Sequence, residues 1–259
     1  MIGLYDSGIG GLTVLSHLRK KMKNIDVVYL ADTINLPYGQ KPPSLLQEYA
    51  EGAFSFFKPY KPSALLVACG TISTVVLENQ GAKCAFPLLG VVKPALKRLS
   101  QRKSKRIAVL ATRASIQSGV FKRLIAPLGA ELLLLPCPSF VPLVEAGKTS
   151  GSDRQAFSTV KRELAPLFPF RPDAILLGCT HFPLLSDLIR SFFPYADVID
   201  AGKAAADEIA ESTTDDGKAS VEFFVTGSPL EFLRSARRIF PSTDPSQVHQ
   251  ITLSAKNKE

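Results

Sequence analysis

The sequence predicts an α/β fold built on parallel sheets, and three observations carry that expectation. Strand-sized apolar runs alternate with amphipathic, helix-like segments. The runs are apolar throughout, which fits strands covered on both faces rather than half-exposed ones. One run also recurs. Tyr60-Lys61-Pro62-Ser63-Ala64-Leu65-Leu66-Val67-Ala68-Cys69 reads like Phe170-Arg171-Pro172-Asp173-Ala174-Ile175-Leu176-Leu177-Gly178-Cys179, at a constant offset of 110 residues.

In order, strands are expected at 1–5, 25–31, 63–69, 87–92, 107–112, 131–136, 173–178, 196–200 and 221–225. Between them, 43–60 places Leu46, Ala50, Ala53, Phe54 and Phe57 near helical spacing, and 182–193 does the same with Leu185, Leu188, Ile189 and Phe192. Strand, helix, strand, repeated, argues for right-handed βαβ units. A boundary between halves falls near Val92-Lys93-Pro94. This predicts one domain from 1–92 with a returning segment 203–259, and a second from 93–202. The polar residues from about Ser242 onward are expected to be poorly ordered.

Composition narrows the function. The chain has 259 residues, 46% hydrophobic and 21% charged, an ordinary globular balance. Its four cysteines are too few and too scattered for a disulfide framework, which points to reduced thiols in the cytoplasm. The opening Met1–Asp6 lacks a basic n-region, and no apolar run is long enough to span a bilayer, so neither signal peptide nor membrane partner is expected. A net charge of +8 raises nucleic acid as a partner. The basic residues are scattered, however, and Arg102–Arg106 reads as a solvated loop before a strand, so none is expected. The positive balance suits an anionic small molecule. No paired Cys-x-x-Cys and no second histidine near His181 supports a metal site, and no phosphate-binding Walker pattern appears.

Ligands of open parallel sheets collect outside the carboxyl ends of strands. Candidate chemistry sits at those ends. Asp6-Ser7-Gly8-Ile9-Gly10-Gly11 follows the first strand, where glycines expose amides at a helix start. Asp32 ends the second, followed by the rigid Pro37-Tyr38-Gly39 turn. Cys69 and Cys179 end the repeated strands, followed by Gly70-Thr71 and Thr180-His181. Two thiols facing each other across a cleft suit removal of a proton from one face of a carbon and delivery to the other. His181 titrates near neutrality and can polarise a thiol. Thr112 and Ser115 offer hydroxyls after a later strand, and Glu145, following another strand end, is expected to enter the cleft beside Cys179 and His181. Cys137, flanked by prolines, reads as structural, and His17 and His249 read as a helix residue and a tail residue.

These motifs resemble glutamate racemase of the aspartate/glutamate racemase superfamily. The resemblance lies in Asp6–Leu12, Ala31-Asp32-Thr33 with Pro37-Tyr38-Gly39, Val67–Thr71 and Leu177-Gly178-Cys179-Thr180-His181-Phe182-Pro183, over about residues 1–205. It implies two pseudo-symmetric α/β domains, each a mostly parallel sheet flanked by helices, with the active site in the cleft between them. It implies a cofactor-independent isomerase supplying D-glutamate for peptidoglycan synthesis. By residue, it implies Cys69 and Cys179 as the two bases, with Asp6, His181 and Glu145 assisting. Substrate contacts would come from Asp6, Ser7, Asp32, Tyr38, Gly39, Gly70, Thr71, Thr112, Ser115, Thr180 and His181. The family is often dimeric, which leaves a homodimer open. Cys69 would act on the D form and Cys179 on the L form.

One departure matters. Gly70 stands where the family usually has Asn, removing an amide that would bind the amino acid, at a cost of roughly 0.5–1.5 kcal/mol. Ser115 stands where Thr is more usual. Aspartate racemisation, a weakly active or inactive amino-acid-binding homologue and a Cys-His hydrolase using one thiol are the alternatives.

Overall fold

The computed structural model describes residues 1–82 and 84–253. Among these, strands β1 (Ile2–Asp6), β2 (Val27–Ala31), β3 (Ala64–Val67), β4 (Leu88–Gly90), β9 (Val221–Val225) and β10 (Val248–Gln250) form one sheet, in the order β10-β9-β2-β1-β3-β4. Strands β5 (Arg106–Ala111), β6 (Glu131–Pro136), β7 (Ala174–Leu177) and β8 (Asp197–Asp200) form a second, in the order β6-β5-β7-β8. Every pairing is parallel.

The two sheets repeat one plan. The order β2-β1-β3-β4 matches β6-β5-β7-β8 strand for strand. β3 and β7 therefore hold equivalent interior positions, each between two neighbours. The repeat reaches the backbone: Lys61 (φ 45) and Arg171 (φ 50), also 110 apart, both adopt the left-handed conformation one residue before a proline. Interior strands are apolar because both faces are covered; β1 and β2 are buried along their whole length. At the edge, β6 is only half covered.

The sheets share an apolar core that includes Leu4 and Leu66 of the first and Val109 and Leu176 of the second. Helices Gly11–Lys21, Val92–Ser100 and Ala201–Ser212 pack together there. Asp207 ties the three, meeting Lys21 Nζ at 2.8 Å, Arg98 at 3.0 Å and its own helix's Lys203 at 2.9 Å. Asp200 caps the last helix by accepting from the Gly202 and Lys203 amides, at 2.8 and 3.1 Å.

The expected strands appear with ends exact or moved by up to a few residues; the segment 43–60 is helical over Pro43–Phe57, and 182–193 opens with a 3-10 turn, Phe182–Leu185, before the helix Ser186–Phe192. The C-terminal expectation needs correction. Residues Val248–Gln250 form an edge strand of the first sheet, in register with Phe223–Val225. His249 therefore belongs to a strand, with its ring 2.8 Å from Glu222 Oε2 and packed on Phe224. An exposed edge strand can be polar because only its inner neighbour needs pairing, which is why composition hid it. Residues 254–259 of that expectation lie outside the described residues. Among the described residues no helix is long and apolar enough to cross a membrane.

Candidate active site

The carboxyl ends of β1, β2 and β3 face those of β5, β6 and β7 across one small cavity. Its wall holds Ser7, Tyr38, Gly39, Cys69, Gly70 and Thr71 from the first sheet's loops, and Thr112, Cys179, Thr180 and His181 from the second's. Both thiols are thus at one cavity, each nearly buried, at 4% and 8% exposure. The cavity as a whole holds about 30 Å³ of free space, room for about two waters.

The two sulfurs sit in different settings. The Cys69 thiol donates to Ser7 Oγ at 3.7 Å. Cys69 lies immediately before the helical turn Gly70–Ile72, and the Ile72 amide reaches its sulfur. A helix start can lower a thiol pKa. Here burial, reinforced by the Asp6 carboxylate, wins over the Ile72 and Ser7 hydrogen bonds and pushes Cys69 up to about 12.

Cys179 Sγ lies 3.9 Å from His181 Nδ1, and His181 Nε2 lies 2.7 Å from Glu145 Oε1. Burial opposes a charge on His181, yet the hydrogen bonds with Cys179 and Glu145 together outweigh it and raise the imidazole to about 10. The ring is a cation at neutral pH. Glu145, at the end of helix Phe140–Glu145, stands outside the cavity wall, behind the histidine.

Asp6 and Asp32 also stand behind the wall. Asp6 is fully buried and accepts from the Gly8 amide at 2.9 Å and from Thr180 Oγ1 at 3.0 Å. Burial raises its pKa against the opposing pull of His181 and these donors. It joins the two sheets beneath the glycine turn. Asp32 accepts from Thr226 at 2.7 Å, from Asn35 at 3.0 and 2.9 Å, and from the Tyr38 hydroxyl, which also meets Tyr5 at 2.8 Å. The carboxylate is consumed in holding the Tyr38-Gly39 turn against the cavity. Ser115 likewise lies behind Thr112, in a hydroxyl chain that crosses the sheets: Thr71 to Thr112 at 2.9 Å, Thr112 to Ser115 at 2.9 Å, Thr74 to Ser115 at 3.1 Å.

Sequence reading missed part of the wall. Leu36, Gln40, Arg113, Cys137, Pro138 and Val141 also line the cavity. The sequence reads Cys137 as structural; it is buried at the cavity wall, its thiol donates to the Leu135 carbonyl at 3.7 Å, and burial pushes its pKa up. The available signal was position, since Cys137 and Pro138 directly follow β6 and Arg113 directly follows Thr112 at the end of β5.

Comparison with known proteins gives a consistent result. Residues 32–209 match the family model described as Asp/Glu/Hydantoin racemase. The chain is 38% identical to a glutamate racemase of Aquifex aeolicus (strain VF5) over 226 residues, covering 87% of this chain and 88% of that one. It superposes on the glutamate racemase of Francisella tularensis subsp. tularensis SCHU S4, solved with D-glutamate, with a TM-score of 0.86 at 27% identity, covering 98% of each chain. The glutamate racemase of Thermus thermophilus, solved with beta-chloro-D-alanine, gives a TM-score of 0.85 at 31% identity, covering 97% of this chain and 96% of that one.

Proposed function

This chain belongs to the Asp/Glu/hydantoin racemase family, and from that premise we propose that it interconverts L- and D-glutamate through two thiols, providing D-glutamate for peptidoglycan. The observation that carries this reading is the pair of cysteines at equivalent strand ends, lining one cavity from two sheets.

From L-glutamate, the Cys179 sulfur, entering as thiolate, takes the α-proton: the Cα–H bond breaks and an S–H bond forms. Cys69 enters as the thiol and serves as the donor; its S–H bond breaks and a new Cα–H bond forms on the opposite face. One proton is taken and one is given, so no net proton or electron is consumed. In the D-to-L direction the sulfurs exchange roles. The α-proton is much less acidic than a thiol, so the carbanion-like state needs an enclosed, preorganised site. The cationic His181, held by Glu145, offers a counter-charge to the negative charge on the Cys179 side. The hydroxyls of Ser7, Thr71, Thr112 and Thr180 supply neutral donors for the substrate's two carboxylates. Asp6 and Asp32 act at one remove, as positioning residues that set Thr180 and Tyr38. The chain divides for this purpose into two domains, 1–92 with 203–259 and 93–202.

The test is to incubate L- and D-glutamate separately in deuterium oxide. The expected result is deuterium at the α-carbon together with inversion from either enantiomer. Binding without exchange would leave a non-catalytic binder; faster turnover of aspartate than glutamate would move the assignment to that substrate.

A further inference from the structure

Three residues on the wall of the catalytic cavity are exposed: Gln40, Arg113 and Pro138. They outline its mouth, while both thiols lie buried within. Gln40 belongs to the turn Tyr38–Gln40 of the first sheet, and Arg113 opens the helix Arg113–Gln117 that follows β5 of the second. These two segments pack together, so the mouth lies along the seam between the sheets.

The charge on this wall is one-sided. Its lining residues include no Asp and no Glu. His181 is a cation in the buried part, beside Cys179. Arg113 is the cation at the mouth. Among the described residues its guanidinium makes no hydrogen bond and no ion pair. Its backbone is nonetheless fixed. Thr112, the residue before it, accepts from the Ser115 amide at 3.3 Å and meets Thr71 of the first sheet at 2.9 Å. An unpaired charge is thereby kept at the edge of the cavity.

Donor chemistry also differs with depth. The buried hydroxyls of Ser7, Thr71, Thr112 and Thr180 both donate and accept, so they suit a carboxylate and a carboxamide alike. A guanidinium only donates, and it carries a fixed charge. It suits a carboxylate, and it has nothing to offer the NH2 of a carboxamide. When an α-carbon lies between the buried thiols, its carboxylate and ammonium stay at that depth. The side chain is the part that extends further.

We propose that Arg113 is a specificity-determining residue: at the cavity mouth it binds the side-chain carboxylate of an acidic amino acid whose α-carbon lies between the two thiols. The proposal rests on the racemase reading and names the residue that selects an acidic side chain over its neutral isostere.

Binding calorimetry on the parent, Arg113→Gln and Arg113→Lys tests this, with racemic glutamate and racemic glutamine as ligands so that turnover adds no heat. The parent is expected to prefer glutamate. In Arg113→Gln the Kd for glutamate should rise about 10-fold, the lower end for a hydrogen bond to a charged group because the guanidinium is partly in water. The Kd for glutamine should change less than about 2-fold, since no charged contact is lost. Arg113→Lys keeps the charge and should retain most of the glutamate affinity. In racemisation, KM for glutamate should rise with Kd while kcat falls less, as expected for binding energy not specific to the transition state. An unchanged glutamate affinity in Arg113→Gln overturns the proposal. So does an equal loss for both ligands, a lysine variant as weak as the glutamine one, or a parent without preference for glutamate. If the unaltered protein exchanges no α-proton of either enantiomer, the racemase reading fails, while calorimetry still decides the role of Arg113.

Discussion

The Cys69 and Cys179 ends of the cleft share a strand position, a sheet order and a left-handed turn, yet they handle protons differently. Cys69 has a neutral partner, Ser7, and a buried carboxylate nearby, and burial with that carboxylate pushes its pKa up to about 12. Cys179 faces a histidine raised to about 10, with Glu145 behind it. A repeated backbone thus delivers two sulfurs to one cavity, and the residues just after each strand give them different partners. The lesson is that fold symmetry sets where the thiols are, while a few side chains set what they do.

The largest effect should come from breaking the pair itself. Cys69→Ser and Cys179→Ser should each lower racemisation by about 10²- to 10⁴-fold, the range of a lost general acid or base, measured by following optical rotation from either enantiomer. A loss confined to Cys179→Ser would instead favour a single-thiol hydrolase.

His181→Asn sharpens the contrast. L- and D-glutamate are mirror images with an equilibrium constant of one, so kcat/KM must fall equally in both directions. The asymmetry appears elsewhere: the primary isotope effect should grow more from α-deuterated L-glutamate than from the D form, because the weakened step is abstraction by Cys179. Glu145→Gln keeps the shape and removes the charge behind His181. Loss of a charge-assisted hydrogen bond worth about 1.5–3 kcal/mol corresponds to roughly 10- to 100-fold in kcat, and the alkaline limb of the rate profile should move to lower pH.

The same histidine leaves a mark on stability. Its pKa is raised on folding from an ordinary 6.5 to about 10. The native state therefore holds a proton that the unfolded chain releases in that interval. The contribution is fully present below pH 6.5 and is lost as pH rises to about 10. Denaturant midpoints should fall across that window in the parent protein and stay flatter in His181→Asn. The smallest effect belongs to Ser7→Ala. A neutral hydrogen bond of about 0.5–1.5 kcal/mol predicts a loss of about 2- to 10-fold in kcat, well below that of His181→Asn.

Much of this was legible in the chain. Periodicity located the interior strands, and the repeated Pro-to-Cys run located both sulfurs, because both signals are local. The strand β10 escaped because an edge strand need not be apolar. Asp6 and Asp32 were recognised as strand-end acids, but the sequence could not say that each is consumed by hydrogen bonds behind the cavity wall.

By itself the sequence determined the parallel α/β plan, the two thiols and the histidine next to one of them, since these follow from side-chain patterning along single segments. Only the tertiary structure decided that Glu145 backs His181, that Thr180 reaches Asp6, and that Thr71 meets Thr112. Each of those contacts joins residues far apart in the chain. Their distances depend on how two sheets pack, which no local pattern encodes.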